Sequence, residues 1–199
     1  MSREARVVRA GAADLDRLAD VVAEAFADLP PSRWLIDDPQ ARRAAFPAYF
    51  RLYLEHALAH GVVDTTPDRN AAALWLPVTG KAGPEPPGYQ ARLRSATWPW
   101  TARFQALDAA MDEHHPDRVP HRHLAILAVL PAGQGHGTGT VLLARRHAEL
   151  DVRGEAAYLE ASSERSRDLY LRHGYHVMGA PFHLPDGGPP MWPMWRDPR

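Results

Sequence analysis

The strongest constraint on the fold lies in residues 123–150. The apolar run His123-Leu-Ala-Ile-Leu-Ala-Val129 breaks at Pro131 into a turn with glycines at 133, 135, 137 and 139. Apolar spacing then resumes as Val141-Leu-Leu-Ala-Arg-Arg-His-Ala-Glu-Leu150. This order reads as strand, turn and helix start. Residues of a turn cannot all hold right-handed angles while aiming their N–H groups at one point, so Gly135, Gly137 and Gly139 are expected to relieve that limit. The helix that follows adds unpaired amides and the positive end of its dipole, which suits a phosphate.

Spacing separates the phosphate motifs. A nucleoside-triphosphate loop ends in Gly-Lys-Ser/Thr, and the single lysine of this chain is Lys81. The dinucleotide fingerprint Gly-x-Gly-x-x-Gly follows a first strand, whereas these glycines lie deep in the second half. The pattern that fits is Gln-x-x-Gly-x-Gly, read as Gln134-Gly135-His136-Gly137-Thr138-Gly139. With its preceding strand it resembles the GNAT family of acyl-CoA-dependent N-acetyltransferases. The resemblance extends to a second block, Tyr158-Leu-Glu160-Ala-Ser162-Ser163, then Leu169-Tyr170 and Gly174-Tyr175. Within the superfamily the chain is similar to puromycin N-acetyltransferase and related small-molecule acetyltransferases of actinobacteria. That likeness rests on Ala25-Phe-Ala-Asp28 with Pro30 and Arg33, the Ala-rich strand ending at Trp75, His115-Pro116, and Leu159 to Ser162 leading into Leu169-Tyr170.

The resemblance implies an α/β fold in a single domain, 1–199. A mixed, mostly antiparallel central sheet of about six or seven strands is flanked by helices, with strands 4 and 5 parallel and splayed. Residues 1–120 would form the acceptor-side half with inserted helices, and 121–199 the acetyl-CoA-binding half. A chain of 199 residues buries roughly 70% of its unfolded surface, enough for a full core. Cysteine is absent, which excludes disulfides, thiolate metal sites and a cysteine nucleophile. A net charge of −1 gives no electrostatic reason to bind nucleic acid or an anionic membrane. No apolar segment approaches the ~20 residues of a membrane span, and the charged start Met1 to Arg6 lacks a signal core. A cytoplasmic protein, monomeric or homodimeric, is expected.

Periodicity orders the elements. Arg6 to Ala10 reads as a short strand, and Ala13 to Phe26 as a helix with Leu15, Leu18, Val22 and Phe26 on one face; Pro30-Pro31 is expected to end it. A helix follows over 39–60, then a hairpin of Gly61–Thr65 and Ala71–Leu76 about the turn Pro67 to Asn70. Pro77 to Pro99 reads as a loop with at most one short helix, and Trp100 to Glu113 as a further helix. After Tyr175, two strands are joined by a proline-rich loop.

The resemblance also implies roles. The amides of Gln134, Gly135, His136, Gly137, Thr138, Gly139 and Thr140 would hold the pyrophosphate of acetyl-CoA. The backbone of Leu127, Ala128 and Val129 would pair with its pantetheine arm, the Leu127 N–H polarising the thioester. Tyr170 stands where the family has the acid that protonates the leaving thiolate. Ser163 replaces a cofactor-contacting asparagine found in many relatives. His123 is eleven residues before Gln134, where histone-type members carry a catalytic glutamate, and alternation places it with Ala125, Leu127 and Val129. It is a candidate base or, equally, a strand-edge histidine. Glu160 is the second candidate base, or a receptor for the acceptor's ammonium group.

Asp28, Trp34, Tyr53 and Trp75 are candidate acceptor contacts, with Tyr49, Trp98, Trp100, Asp37 and Asp38 behind them; each has an alternative as a core or helix-flanking residue. Trp192 and Trp195 would form a dimer edge or close the core. Two prolines interrupt the histidine run His114 to His123, and no acidic or cysteine partner is positioned beside it, so no metal is expected. The activity implied is direct acetyl transfer from acetyl-CoA to a primary amine of a small molecule, an antibiotic or a biosynthetic intermediate. The alternatives are a protein or peptide N-acetyltransferase and a non-catalytic CoA sensor.

Overall fold

The computed structural model describes residues 6–80, 86–117 and 120–199; part of the proline-rich loop and of the histidine run therefore falls outside the described residues. The chain opens with β1 (Val8–Arg9), α1 (Leu15–Phe26), α2 (Pro30–Leu35) and α3 (Pro39–His60). The hairpin β2 (Val62–Thr65) and β3 (Ala71–Val78) follows, then α4 (Tyr89–Thr97) and α5 (Thr101–His114). β4 (His121–Val129), α6 (Thr138–Arg153), β5 (Ala156–Ala161) and α7 (Glu164–Arg172) carry the two blocks singled out in the sequence. β6 (His176–Val177), β7 (Phe182–His183) and β8 (Pro190–Arg196) end the chain.

Helix ends follow local chemistry. Pro30-Pro31 does not terminate α1, which stops at Phe26; Pro30 opens α2 instead. A proline at the first helical position gives up no intrahelical hydrogen bond and has its φ already set. Pro39 opens α3 in the same way, and the Asp38 carboxylate caps it by accepting the Ala41 N–H at 2.6 Å.

The strands form one eight-stranded sheet in the order β1-β2-β3-β4-β5-β8-β6, with β7 beside β8. All its pairings are antiparallel except β4 with β5. This is the expected mixed α/β architecture, with an extra strand because the last loop carries the short β7. β8 has neighbours on both sides, so Trp192 and Trp195 close the sheet and do not form its edge.

Two apolar layers sandwich the sheet. On one face, Leu18 and Val22 of α1 and Phe46 and Leu54 of α3 pack on Leu74, Ile126 and Ala128. On the other, Leu142 and Leu143 of α6 and Tyr170 of α7 pack on Ala73, Trp75 and Leu159. Central strands buried on both faces leave little room, which suits the small side chains of Ala71-Ala-Ala73. A buried ion pair, Arg146 to Asp64 at 2.6 Å, fastens α6 to β2 and thereby fixes the helix that carries the glycine turn. Among the described residues no helix is long and apolar enough to cross a membrane.

Candidate active site

A fork between β4 and β5 organises the site. The two strands pair only from His121 opposite Ala156 to His123 opposite Tyr158. Beyond His123 the strands part, and β4 continues to Val129 beside β3 alone. The N–H of Leu130 is bonded to Asn70 O at 3.0 Å, on the β3 side. The period of two then turns the backbone groups of Leu127 and Val129 toward the gap left by β5, and those of Ala128 toward β3. The Gln134 side chain reaches back and donates to Val129 O at 3.0 Å, tying the glycine turn to the fork.

A bulge resets the side-chain pattern at this point. Leu74 pairs with Ile126 but the next residue, Trp75, pairs with Leu124, so Ala125 is an extra residue on β4. One inserted residue exchanges the two faces. Leu124, Leu127 and Val129 consequently share one layer. The expectation that His123 shares a face with Leu127 and Val129 is therefore incorrect. His123 lies on the opposite side, where Glu160 also points, because its neighbours Leu159 and Ala161 face the α6 and α7 layer.

There His123 Nε2 lies 2.9 Å from Glu160 Oε2. The Glu160 side chain is only 2% exposed. Burial pulls its pKa up, but His123 and His115 outweigh that and hold it at about 2. An ionised carboxylate only accepts, so the proton in the pair sits on His123 Nε2, and it is the neutral tautomer carrying that proton whose Nδ1 offers a lone pair. His115, at the end of α5, brings its Nδ1 to 3.8 Å from Glu160 Oε1, and its Nε2 lies 3.1 Å from His121 Nε2. The rings of His115, His121 and His123 surround Tyr158 with centroids 4.7, 5.7 and 5.5 Å away. Burial, with Glu160 nearby, keeps the Tyr158 phenol protonated far above its usual range.

The sequence singled out the histidine run but paired it with no carboxylate. The acidic neighbour is Glu160, which is remote in sequence and arrives through the parallel pairing of β4 and β5. His115, His121 and Tyr158 are the members of the cluster that sequence reasoning did not assign. The signal for Tyr158 was its position two residues before Glu160, on the same strand face.

At the far end of the fork the turn is left-handed at Gly135 (φ +79°) and Gly137 (φ +85°). Gly139 differs: it sits in the first turn of α6, and a Cβ there would meet Leu127 and Leu169 side chains at 3.7 and 3.9 Å. Its smallness serves helix-to-strand packing, not backbone freedom. The first intrahelical bond runs from Val141 N–H to Gly137 O at 3.0 Å, and no side chain caps the helix. The N–H groups of Thr138, Gly139 and Thr140 therefore end α6 without intrahelical acceptors. His136 is exposed on the turn.

Tyr170 is buried in the α6 and α7 layer, edge-on to Tyr175 at 5.7 Å. Burial raises its pKa well above the usual phenol value, so it remains a proton donor. Among the described residues its hydroxyl has no hydrogen-bond partner. Tyr170 and His123 thus flank the sheet from opposite faces. Ser163 is occupied as the cap of α7, accepting the Ser166 N–H at 3.1 Å.

The acceptor candidates scatter. Trp75 is 2% exposed and packs edge-on to His147 at 6.0 Å in the layer opposite His123, so it is a core residue and not an acceptor contact. Trp75 follows the regular alternation of β3 and shares the layer of Ala71 and Ala73. Asp28 is exposed and lies 3.8 and 3.6 Å from Arg33 and Arg42. Tyr53 joins a hydroxyl chain with Tyr49 at 3.2 Å, Tyr89 at 3.0 Å and Asp108 at 3.3 Å. Trp34 donates its indole N–H to Pro185 O at 3.1 Å and packs against the apolar group of Ala110, Phe182, Leu184 and Met191. Phe182 stacks at 4.1 Å on His114, the neighbour of His115. Trp98 is largely exposed, while Asp37 and Trp100 border a shallow surface depression with Arg103.

No protein-family model matches the chain. Solved structures do. A protein from Corynebacterium glutamicum described as histone acetyltransferase HPA2 and related acetyltransferase is 31% identical, with 97% of this chain and 96% of that one covered and a TM-score of 0.72. Arylalkylamine N-acetyltransferase 2 from Aedes aegypti superposes with a TM-score of 0.65 at 13% identity, over 98% of this chain and 99% of that one. An agmatine N-acetyltransferase does so with a TM-score of 0.61 at 14% identity, over 96% and 98% of the two chains. The fork, the glycine turn and the near-complete match to the corynebacterial acetyltransferase agree: this chain belongs to the GNAT superfamily and is an N-acetyltransferase.

Proposed function

We propose that the whole chain is one catalytic domain that moves an acetyl group from acetyl-CoA directly to a primary amine of a small molecule, an antibiotic or a biosynthetic intermediate, in the cytoplasm. The observation that carries this reading is the His123–Glu160 pair at the point where β4 and β5 part. Acetyl-CoA fits the residues present. The open edge at Leu127 and Val129 suits an amide-bearing arm, which would join β4 as an added strand does. The left-handed glycines and the uncapped start of α6 suit a pyrophosphate. When bound, acetyl-CoA supplies the activated acyl group.

The chain's own residues supply the remaining needs. Glu160 holds a proton on His123 Nε2, so His123 Nδ1 accepts the proton of the incoming ammonium, directly or through water. The Leu127 N–H faces the gap and stabilises charge on the carbonyl oxygen as the amine attacks. Tyr170, on the other face, protonates the departing thiolate. Base and acid thus work from opposite sides of one fork. The aromatic wall of Trp34, Phe182 and His114 beside the cluster favours an acceptor with an apolar or aromatic body.

A second reading, transfer to a protein or peptide amine, is favoured by the likeness to the corynebacterial histone acetyltransferase HPA2 and related acetyltransferase. Release of free CoA thiol decides between them. The panel would include arylalkylamines, a guanidino-amine, an aminonucleoside, aminoglycosides and a lysine peptide. The proposal expects kcat/KM for one small amine at least 100-fold above that for the peptide; the reverse order would replace it.

A further inference from the structure

We propose that His115, His123 and Glu160 form a binding site for a divalent transition-metal ion of the zinc type, and that occupancy of this site switches acetyl transfer off. One ligand atom from each of the three lies within 4.8 Å of the others. Two imidazoles and a carboxylate are a donor set that suits zinc with one open position, and suits calcium or magnesium poorly. The switching effect rests on the proposed role of His123 as base; the binding does not.

Three features point to an ion beyond the clustering itself. Glu160 Oε1 is fully buried and has no hydrogen-bond partner, a cost that an ion at hydrogen-bond range would remove. His115 Nδ1 is 3.8 Å from that oxygen. Ligands about 2.0–2.1 Å from a tetrahedral ion stand about 3.4 Å apart, so the His115 and Glu160 side chains are already near their places. His123 Nε2 is 2.9 Å from the other oxygen, Oε2, and gives up that hydrogen bond when its lone pair turns to an ion held by Oε1. Finally, His115 Nε2 lies 3.1 Å from His121 Nε2. With an ion bound, a proton kept on His115 Nε2 and donated to His121 leaves Nδ1 to ligate it, the outer-shell arrangement that metal-binding histidines use.

Occupancy has a defined consequence for His123. The ion takes the Nε2 lone pair, and the ring proton that Nε2 gave to Glu160 moves to Nδ1. The imidazole stays neutral, but the lone pair that would accept the ammonium proton is gone.

The test titrates Zn²⁺, and Co²⁺ as a spectroscopic probe, into the chelator-treated protein without substrate, then repeats acetyl transfer with the ion present. The site predicts one equivalent bound below about 10 μM, visible Co²⁺ bands of a four-coordinate N/O site, and at least tenfold inhibition reversed by chelator. His115→Ala and Glu160→Gln should each weaken binding at least 30-fold. The i, i+4 pair His56 and His60, with ring centroids 4.8 Å apart, is the competing chelate, and His60→Ala should leave binding unchanged. No stoichiometric binding to the wild type, or binding lost in His60→Ala and kept in His115→Ala, overturns the site. Binding with undiminished turnover overturns the switch alone. Thermal melts of each variant separate lost ligands from lost fold.

Discussion

His123 Nε2 and Glu160 Oε2 stand 2.9 Å apart although 37 residues separate them in the chain. The distance follows from the parallel pairing of β4 and β5, which sets His123 opposite Tyr158 and brings Glu160 alongside. Because His123 and His115 outweigh burial and hold the carboxyl well below the usual carboxylate range, it acts as an acceptor that selects the histidine tautomer. Glu160→Gln keeps the shape but can donate, which admits the wrong tautomer. The expected result is a loss in kcat of about 10- to 100-fold with acetyl-CoA affinity within twofold of wild type. Stopped assays with saturating amine, alongside equilibrium binding of acetyl-CoA, measure both.

Tyr170 is held protonated by burial. Tyr170→Phe removes the donor and should lower kcat by about 100-fold while leaving acetyl-CoA binding intact. The raised pKa also sets the pH dependence: the acid form persists above its usual value of about 10. Turnover of the wild type should therefore show no loss from Tyr170 ionisation up to pH 10. A rate that falls through pH 9 in wild type and not in Tyr170→Phe would contradict the assignment.

The glycine turn separates backbone need from packing. Gly137→Ala forces a side chain into φ +85° and should cost about 1–2 kcal/mol, together with a loss of acetyl-CoA affinity. Gly139→Ala places its Cβ in ordinary contact with Leu127 and Leu169 and adds helix propensity of up to about 1 kcal/mol. It should melt no lower than wild type and bind acetyl-CoA within about twofold. Thermal melts with and without ligand report both quantities.

His147 is buried against Trp75 and Tyr175, and burial, with Arg196 and His173 nearby, lowers its pKa from 6.5 to about 3. The folded state therefore resists a proton that the unfolded state takes up below 6.5. Its contribution is complete above pH 6.5 and declines as pH falls from there toward 3, by about 2 kcal/mol at pH 5. His147→Gln should flatten the pH dependence of Tm between 6.5 and 5. An unchanged slope would show that His147 titrates normally.

Much of this was legible in the sequence. The break at Pro131 and the glycines after it marked the strand, turn and helix, because those residue types act locally. The bounds of α3 followed from Pro39 and Gly61, which open and cap it. What escaped were consequences of pairing between distant segments. The bulge at Ala125 is set by β3 against β4, and it placed His123 on a face that simple alternation along β4 does not give. The carboxylate partner of the histidine run was hidden for the same reason: no local spacing connects His115 and His123 to Glu160. Pro30 misled because a proline both ends and begins helices, and only the surrounding chain decides.

The central claim is that His123, oriented by Glu160, takes the proton of the attacking amine at the fork. The direct test compares free CoA release by wild type and His123→Ala with the best amine, at saturating acetyl-CoA. A fall of at least 100-fold in kcat, with acetyl-CoA affinity unchanged, is the predicted result. A variant that turns over at the wild-type rate would contradict it.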